Sequence, residues 1–113
     1  MEMNIHLHPE VFEVVKNGSK NIEVRVNDEK RRKLHVGDKL IFLKRPEEIE
    51  KIEATVTSLD YYKNFQELVK HYDIERLYLK EYTKDMFLDL LSQFYSEEEQ
   101  KEYGVVAIGF KIL

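Results

Sequence analysis

The stretch from Gly18 to Arg25, GSKNIEVR, brings three ionisable side chains close together. Glu23 and Arg25 are two positions apart, so a β-strand would turn both side chains to the same face. Such a cluster forms either the polar floor of a ligand pocket or an ordinary surface group of ion pairs. In a pocket, Arg25 would offer a planar fork to a phosphate, carboxylate or base edge, Lys20 a point charge, and Glu23 an acceptor.

The basic run from Lys30 to Lys33 is a second candidate. Four consecutive cations repel one another and favour a solvated rim on the surface. The functional alternative is contact with a phosphate backbone, which would weaken sharply with salt. We therefore keep Lys30, Arg31 and Arg32 as candidate ligand-binding residues.

The aromatic residues in the middle of the chain are candidates for stacking nucleobases. Tyrosines in a small domain are more often structural, with buried rings and solvated hydroxyls. Phe65 lies on the apolar side of an expected helix, so we assign it to the core. Tyr61 and Tyr62 stand at a strand-to-helix junction and are the better stacking candidates.

The composition excludes several kinds of site. The chain has no cysteine, so disulfides, thiolate zinc sites and cysteine nucleophiles are excluded. His6 and His8 share one face of an expected strand, but no third metal ligand is evident. No glycine-rich phosphate loop or nucleophile elbow occurs. We therefore predict no metal site and no cofactor.

Size and charge fit one small acidic domain. The chain has 113 residues, 42% apolar content and a formal net charge of −4, so a nucleic-acid partner would need a locally basic face. No stretch approaches the roughly 20 apolar residues that span a bilayer. The beginning of the chain does not resemble a signal peptide. We expect a cytoplasmic protein with no membrane association.

Hydrophobic alternation predicts strands near both ends of the chain and helices between them. Strands are expected over residues 3–7, 22–26, 40–43, 52–56 and 105–112. Helices are expected after Pro9, after an Asn64 cap, from Thr83, and after a Ser96–Glu99 capping box. Turns are expected at 27–29 and 36–38, with residues 30–33 as a basic connection.

This order of elements predicts an α+β fold. The connections between residues 26 and 52 are too short for crossover helices, which argues against a doubly wound parallel sheet. We expect a single domain over residues 1–113, built as a small mixed β-barrel flanked by helices.

Four segments together resemble the ASCH domain family of the PUA-like superfamily. Residues 18–25 match its glycine-x-lysine-x-x-glutamate-x-arginine motif, and 36–38 resemble the turn before its next strand. Residues 64–68 and 95–108 resemble its later helical segment and its closing helix and strand. The matches follow the family's order and span nearly the whole chain.

The resemblance implies a PUA-like barrel with a cleft beside the motif strand, and RNA or a nucleoside-like molecule as the partner. One branch of the family is associated with amide hydrolysis on acetylated cytidine, with a lysine base and a threonine nucleophile. Lys20 matches that lysine, but Glu23 stands at the threonine position and cannot replace a hydroxyl as acyl acceptor. Binding is therefore our first hypothesis, and hydrolysis with Lys20 and Glu23 as catalytic residues is the alternative.

Overall fold

A five-stranded mixed sheet forms the frame of the protein, whose computed structural model describes residues 1–113. The strands are β1 (Glu2–Leu7), β2 (Ile22–Val26), β3 (Lys39–Lys44), β4 (Lys51–Tyr62) and β5 (Val105–Ile112). Their order is β1-β3-β4-β5-β2, and only the β1–β3 pair is parallel. The sheet curls into a half-barrel, so the predicted α+β class with a barrel-like sheet is confirmed.

Six helices connect and cover the strands. They are α1 (Pro9–Lys16), α2 (Glu29–Arg32), α3 (Phe65–Val69), α4 (Ile74–Leu77), α5 (Lys84–Ser92) and α6 (Glu97–Tyr103). Four of them, α3 to α6, fall between β4 and β5 and form a helical layer beside the sheet. None of the six is long and apolar enough to span a membrane.

Two hydrophobic clusters lie on opposite faces of the sheet. The barrel core packs α1 against strand residues such as Ile5, Leu40 and Phe42. The helix-side core packs α3, α4 and α5 against β2 and β5. Strand β5 supplies alternate residues to the two clusters, for example Val106 to the barrel core and Val105 to the helix-side core. Its burial on both faces explains its nearly continuous apolar sequence.

The predicted helix starts are confirmed by their caps. The Asn64 side chain accepts a hydrogen bond from the Glu67 amide at 2.9 Å at the start of α3. Ser96 and Glu99 form a complete capping box at the start of α6. These contacts occupy amides that have no partner within their own helix.

Three elements differ from the sequence prediction. Within residues 27–33, which were expected to form a turn and a connection, residues 29–32 form the short helix α2. Asp28 caps this helix by accepting a hydrogen bond from the Arg31 amide at 3.1 Å. Helix α4 was not predicted, since four residues carry no readable periodicity. Strand β4 continues beyond Val56 to Tyr62 through a bulge near Ser58, which interrupts the alternation that the prediction followed.

Candidate functional site

The ionic cluster lies on β2, which is an edge strand of the sheet. The apolar residues of β2 face the helix-side core, so strand alternation turns Glu23 and Arg25 to the opposite face. The strand register agrees, because these two residues pair with Ile108 and Val106, which both belong to the barrel core. The predicted same-face placement of Glu23 and Arg25 therefore follows from the strand.

Lys20 is a buried lysine that joins β2 to α4. Its ammonium donates to the carbonyl oxygen of Ile22 and, at 2.8 Å, to that of Leu77, and it lies 3.1 Å from Glu23 Oε1. An ammonium has three N–H donors, so these three oxygens occupy all of them. Lys20 thus binds carbonyls of the edge strand and of the neighbouring helix at once.

Glu23 is the buried anion at the centre of the cluster. Arg25 donates to its Oε2 through Nε at 3.0 Å and through Nη2 at 2.8 Å. Burial by itself raises the pKa of Glu23, but the positive charges of Lys20 and Arg25 outweigh burial and lower it to about 2. Glu23 is therefore ionised throughout the physiological range.

The two cations respond differently to the same surroundings. Burial lowers the pKa of Lys20 below its ordinary value of 10.5, against the opposing pull of the Glu23 carboxylate. Burial also acts against the charge of Arg25, but Glu23 and the neighbouring Tyr95 hydroxyl outweigh it and raise the pKa of Arg25. Because each N–H of Lys20 has its own acceptor, we assign Lys20 as an ammonium at neutral pH.

Arg25 is the member of the cluster that reaches solvent. Its side chain is 23% exposed, compared with 3% for Lys20 and 8% for Glu23. A fully hydrogen-bonded ammonium has no lone pair with which to take a proton from a substrate. This geometry favours positioning roles for Lys20 and Glu23, which hold the Arg25 guanidinium in a fixed direction.

Strand pairing places Tyr61 in line with Arg25. Tyr61 on β4 and Arg25 on β2 both pair with Val106 of the intervening strand β5. Directly paired residues of antiparallel strands turn their side chains to one face, with Cα atoms about 5 Å apart per pair. The side chains of Tyr61 and Arg25 therefore leave the sheet on the same face, with their Cα atoms about 10 Å apart. Tyr61 is 59% exposed, while Val106 between them is buried. We call Tyr61, Val106 and Arg25 the cross-strand row.

Tyr62 lies on the other face of the sheet. Its hydroxyl is 2.9 Å from the Tyr72 hydroxyl, and its ring stacks on His71 with centroids 4.9 Å apart. It also packs against the helix-side core. The structure thus separates the two tyrosines that the sequence placed together, and only Tyr61 shares a face with Arg25.

The basic run does not form a uniform patch of free cations. Arg32 donates to two backbone carbonyls and lies over the Tyr103 ring, 5.5 Å from its centroid. The Arg31 side chain is only 13% exposed. Lys30 and Lys33 are exposed and form no ion pair. Since α2 follows β2 after two residues, these lysines lie near the end of the strand that carries Arg25.

Comparison with known proteins identifies the family. The sequence model of the ASCH domain matches residues 5–113. The chain belongs to the ASCH domain family. Its predicted PUA-like fold is therefore confirmed. No curated protein matches this chain.

Solved structures agree with this ASCH fold. The crystal structure of the hypothetical protein PH0355 is 35% identical, with a TM-score of 0.86 and 100% of both chains covered. The solution structure of PF0455 from Pyrococcus furiosus is 30% identical, with a TM-score of 0.77, covering 100% of this chain and 98% of that one. The ASCH protein from Zymomonas mobilis is 16% identical, with a TM-score of 0.60. The match covers 97% of this chain and 66% of that chain. This last likeness concerns the fold alone.

The ASCH domain also has a groove of about 630 Å³ in its helical layer. The groove runs between the start of α3 and the helices α5 and α6, and Tyr95 contributes to its wall. The sequence reasoning did not select its residues. The caps of α3 and α6 could be read from the sequence, but no local signal indicates that the two helices face each other.

A smaller cavity of about 290 Å³ lies beside the start of β2, at the end of the strand away from Arg25. It is bordered by Gly18, Lys20, Asn21 and three residues of β5, which are Phe110, Lys111 and Ile112. Since the Lys20 ammonium is engaged elsewhere, this cavity offers a ligand few unoccupied polar groups of the ASCH motif.

Proposed function

We propose that this ASCH domain binds single-stranded RNA or a nucleotide at the cross-strand row. Members of the ASCH domain family are generally thought to bind RNA, and the proposal assigns that role to a defined surface of this chain. The observation that carries it is the exposed Tyr61 ring, which stands in strand register with Arg25 across β5.

The chemistry of the row suits a nucleotide. A tyrosine ring stacks on a nucleobase of any kind, and arginine binds phosphate oxygens or a base edge through paired donors. Glu23 holds Nε and Nη2 of Arg25, so the guanidinium is oriented before a ligand arrives. Less ordering entropy is then lost on binding.

The exposed lysines of α2 would supply further phosphate contacts. With a net charge of −4 the protein repels RNA at long range, so binding must depend on local cations. Contacts from Arg25, Lys30 and Lys33 would make log Kobs fall with log salt at a slope of about −2.

Replacing Tyr61 with leucine is expected to weaken binding of a short single-stranded RNA by about 5-fold or more, since a stacked base contributes about 1–3 kcal/mol. Tyr61→Phe keeps the ring and should bind like the unchanged protein. Fluorescence anisotropy at two salt concentrations measures both variants. Absence of RNA binding at low salt, or equal affinity of the two variants, would refute the proposal.

A further inference from the structure

The groove in the helical layer carries charges of both signs that are not used in ion pairs. Lys63 and Lys101 line it, as do Glu97 and Glu98. None of these four side chains takes part in any ion pair or hydrogen bond of the protein. Charged groups that line one groove without pairing remain available to a ligand with both acidic and donor groups.

Tyr95 forms an aromatic wall of the groove, and its side chain contacts two neighbouring residues. The Tyr95 ring packs against Phe65, with centroids 5.5 Å apart and ring planes tilted by 45°. The Tyr95 hydroxyl lies beside the Arg25 guanidinium. Tyr95 therefore links the groove to the ionic cluster on β2, and its fixed ring offers a surface for a flat ligand.

The two lysines flank the contact that joins α6 to α3. Gln100 Oε1 accepts from the Phe65 amide at 3.1 Å. Lys63 comes two residues before Phe65, and Lys101 directly follows Gln100. Both lysines therefore adjoin this contact in sequence, and the carboxylates belong to the first turn of α6, one turn before Lys101.

The groove adjoins the residues that follow β4. Lys63, which lines it, directly follows the last residue of β4, Tyr62. The volume of about 630 Å³ lies within the range of about 300–1,000 Å³ for small-molecule sites.

We infer that the groove accommodates one nucleotide of the bound RNA strand. This inference rests on the proposed function and names a second subsite for the same ligand. Lys63 and Lys101 bind the phosphate, the Tyr95 ring packs against the base, and the Gln66 amide meets the base edge. Glu97 and Glu98 accept hydrogen bonds from ribose hydroxyls or from an exocyclic amine.

Titration of the ¹⁵N-labelled protein with cytidine and adenosine 5′-monophosphates tests the subsite by itself. The amide signals of Gln66, Tyr95 and Lys101 are expected to shift with either nucleotide. The double variant Lys63→Ala/Lys101→Ala should bind at least 10-fold more weakly. The matched double variant Lys51→Ala/Lys80→Ala, which removes two exposed lysines elsewhere, should bind like the unchanged protein. Absence of shifts at the groove amides, or equal loss in both double variants, would overturn the inference.

The same variants, titrated with a short RNA, separate this inference from the proposed function. Loss of the two groove lysines should reduce the magnitude of the salt slope by about 0.7, the contribution of the one phosphate that they bind. RNA binding that is unaffected by Lys63→Ala/Lys101→Ala, but is lost in Tyr61→Leu, would refute the groove subsite. The proposed binding at the cross-strand row would then still stand. Groove shifts with the mononucleotides in a protein that binds no RNA would refute the proposed function and leave a nucleotide site.

Discussion

Replacing Lys20 with methionine is expected to lower the free energy of unfolding by about 3–5 kcal/mol, the usual cost of removing one partner of a buried ion pair. The substitution keeps the length and apolar stem of the side chain. It leaves the buried Glu23 carboxylate without one of its two cations. It also leaves the carbonyls of Ile22 and Leu77 without the donor that joins β2 to α4. Urea denaturation followed by circular dichroism measures the loss.

Two controls separate charge burial from lost packing. Adding Glu23→Leu to Lys20→Met removes the unpaired anion, so the double variant should recover part of the lost stability. Lys16→Met, which removes an exposed partner of Glu50, should change the urea midpoint little. A Lys20→Met protein as stable as the unchanged one would contradict the assignment of Lys20 as a buried, fully bonded cation.

Acid is expected to destabilise the protein by about 3 kcal/mol through Glu23 alone. The pKa of Glu23 is lowered to about 2 in the folded protein, from an ordinary value of 4.5. A carboxyl with a lowered pKa stabilises the folded state above its unfolded pKa, and this stability is lost as the pH falls toward the folded pKa. The loss from Glu23 should therefore occur between about pH 5 and pH 2.

The comparison with Glu23→Gln isolates this effect. Other carboxyls with lowered pKa values, those of Asp38, Glu50 and Glu67, are present in both proteins. The difference between the two curves of unfolding free energy against pH therefore measures the contribution of the Glu23 carboxylate. A direct ¹³C NMR titration of the Glu23 carboxyl supplies an independent reading. Parallel curves, together with a midpoint near 4.5 in the titration, would show that the cluster does not stabilise the anion.

Local features of the fold could be predicted from the sequence because their causes are local. The alternation of Ile22, Val24 and Val26 with charged residues sets the faces of β2, whatever lies beyond it. The caps at Asn64 and Ser96 bind amides only three residues away. Strand and helix positions therefore followed from short stretches of sequence.

The site depended on contacts between distant parts of the chain. Lys20 is buried because α4 covers it, and the four residues of α4 gave no signal. Tyr61 lies opposite Arg25 only because β5 passes between their strands, and the bulge near Ser58 sets which face Tyr61 takes. Without that register, the sequence could not separate Tyr61 from Tyr62. The groove likewise needs α6 to pack on α3, which no short stretch encodes.

Mapping bound RNA on the protein tests the central claim most directly. Addition of a short single-stranded RNA to the ¹⁵N-labelled protein should shift the amide signals of Tyr61, Val106 and Arg25, on three neighbouring strands. Signals of β1, the opposite edge strand of the sheet, should remain in place. Shifts confined to β1, or no shifts with saturating RNA at low salt, would contradict a nucleotide-binding surface at the cross-strand row.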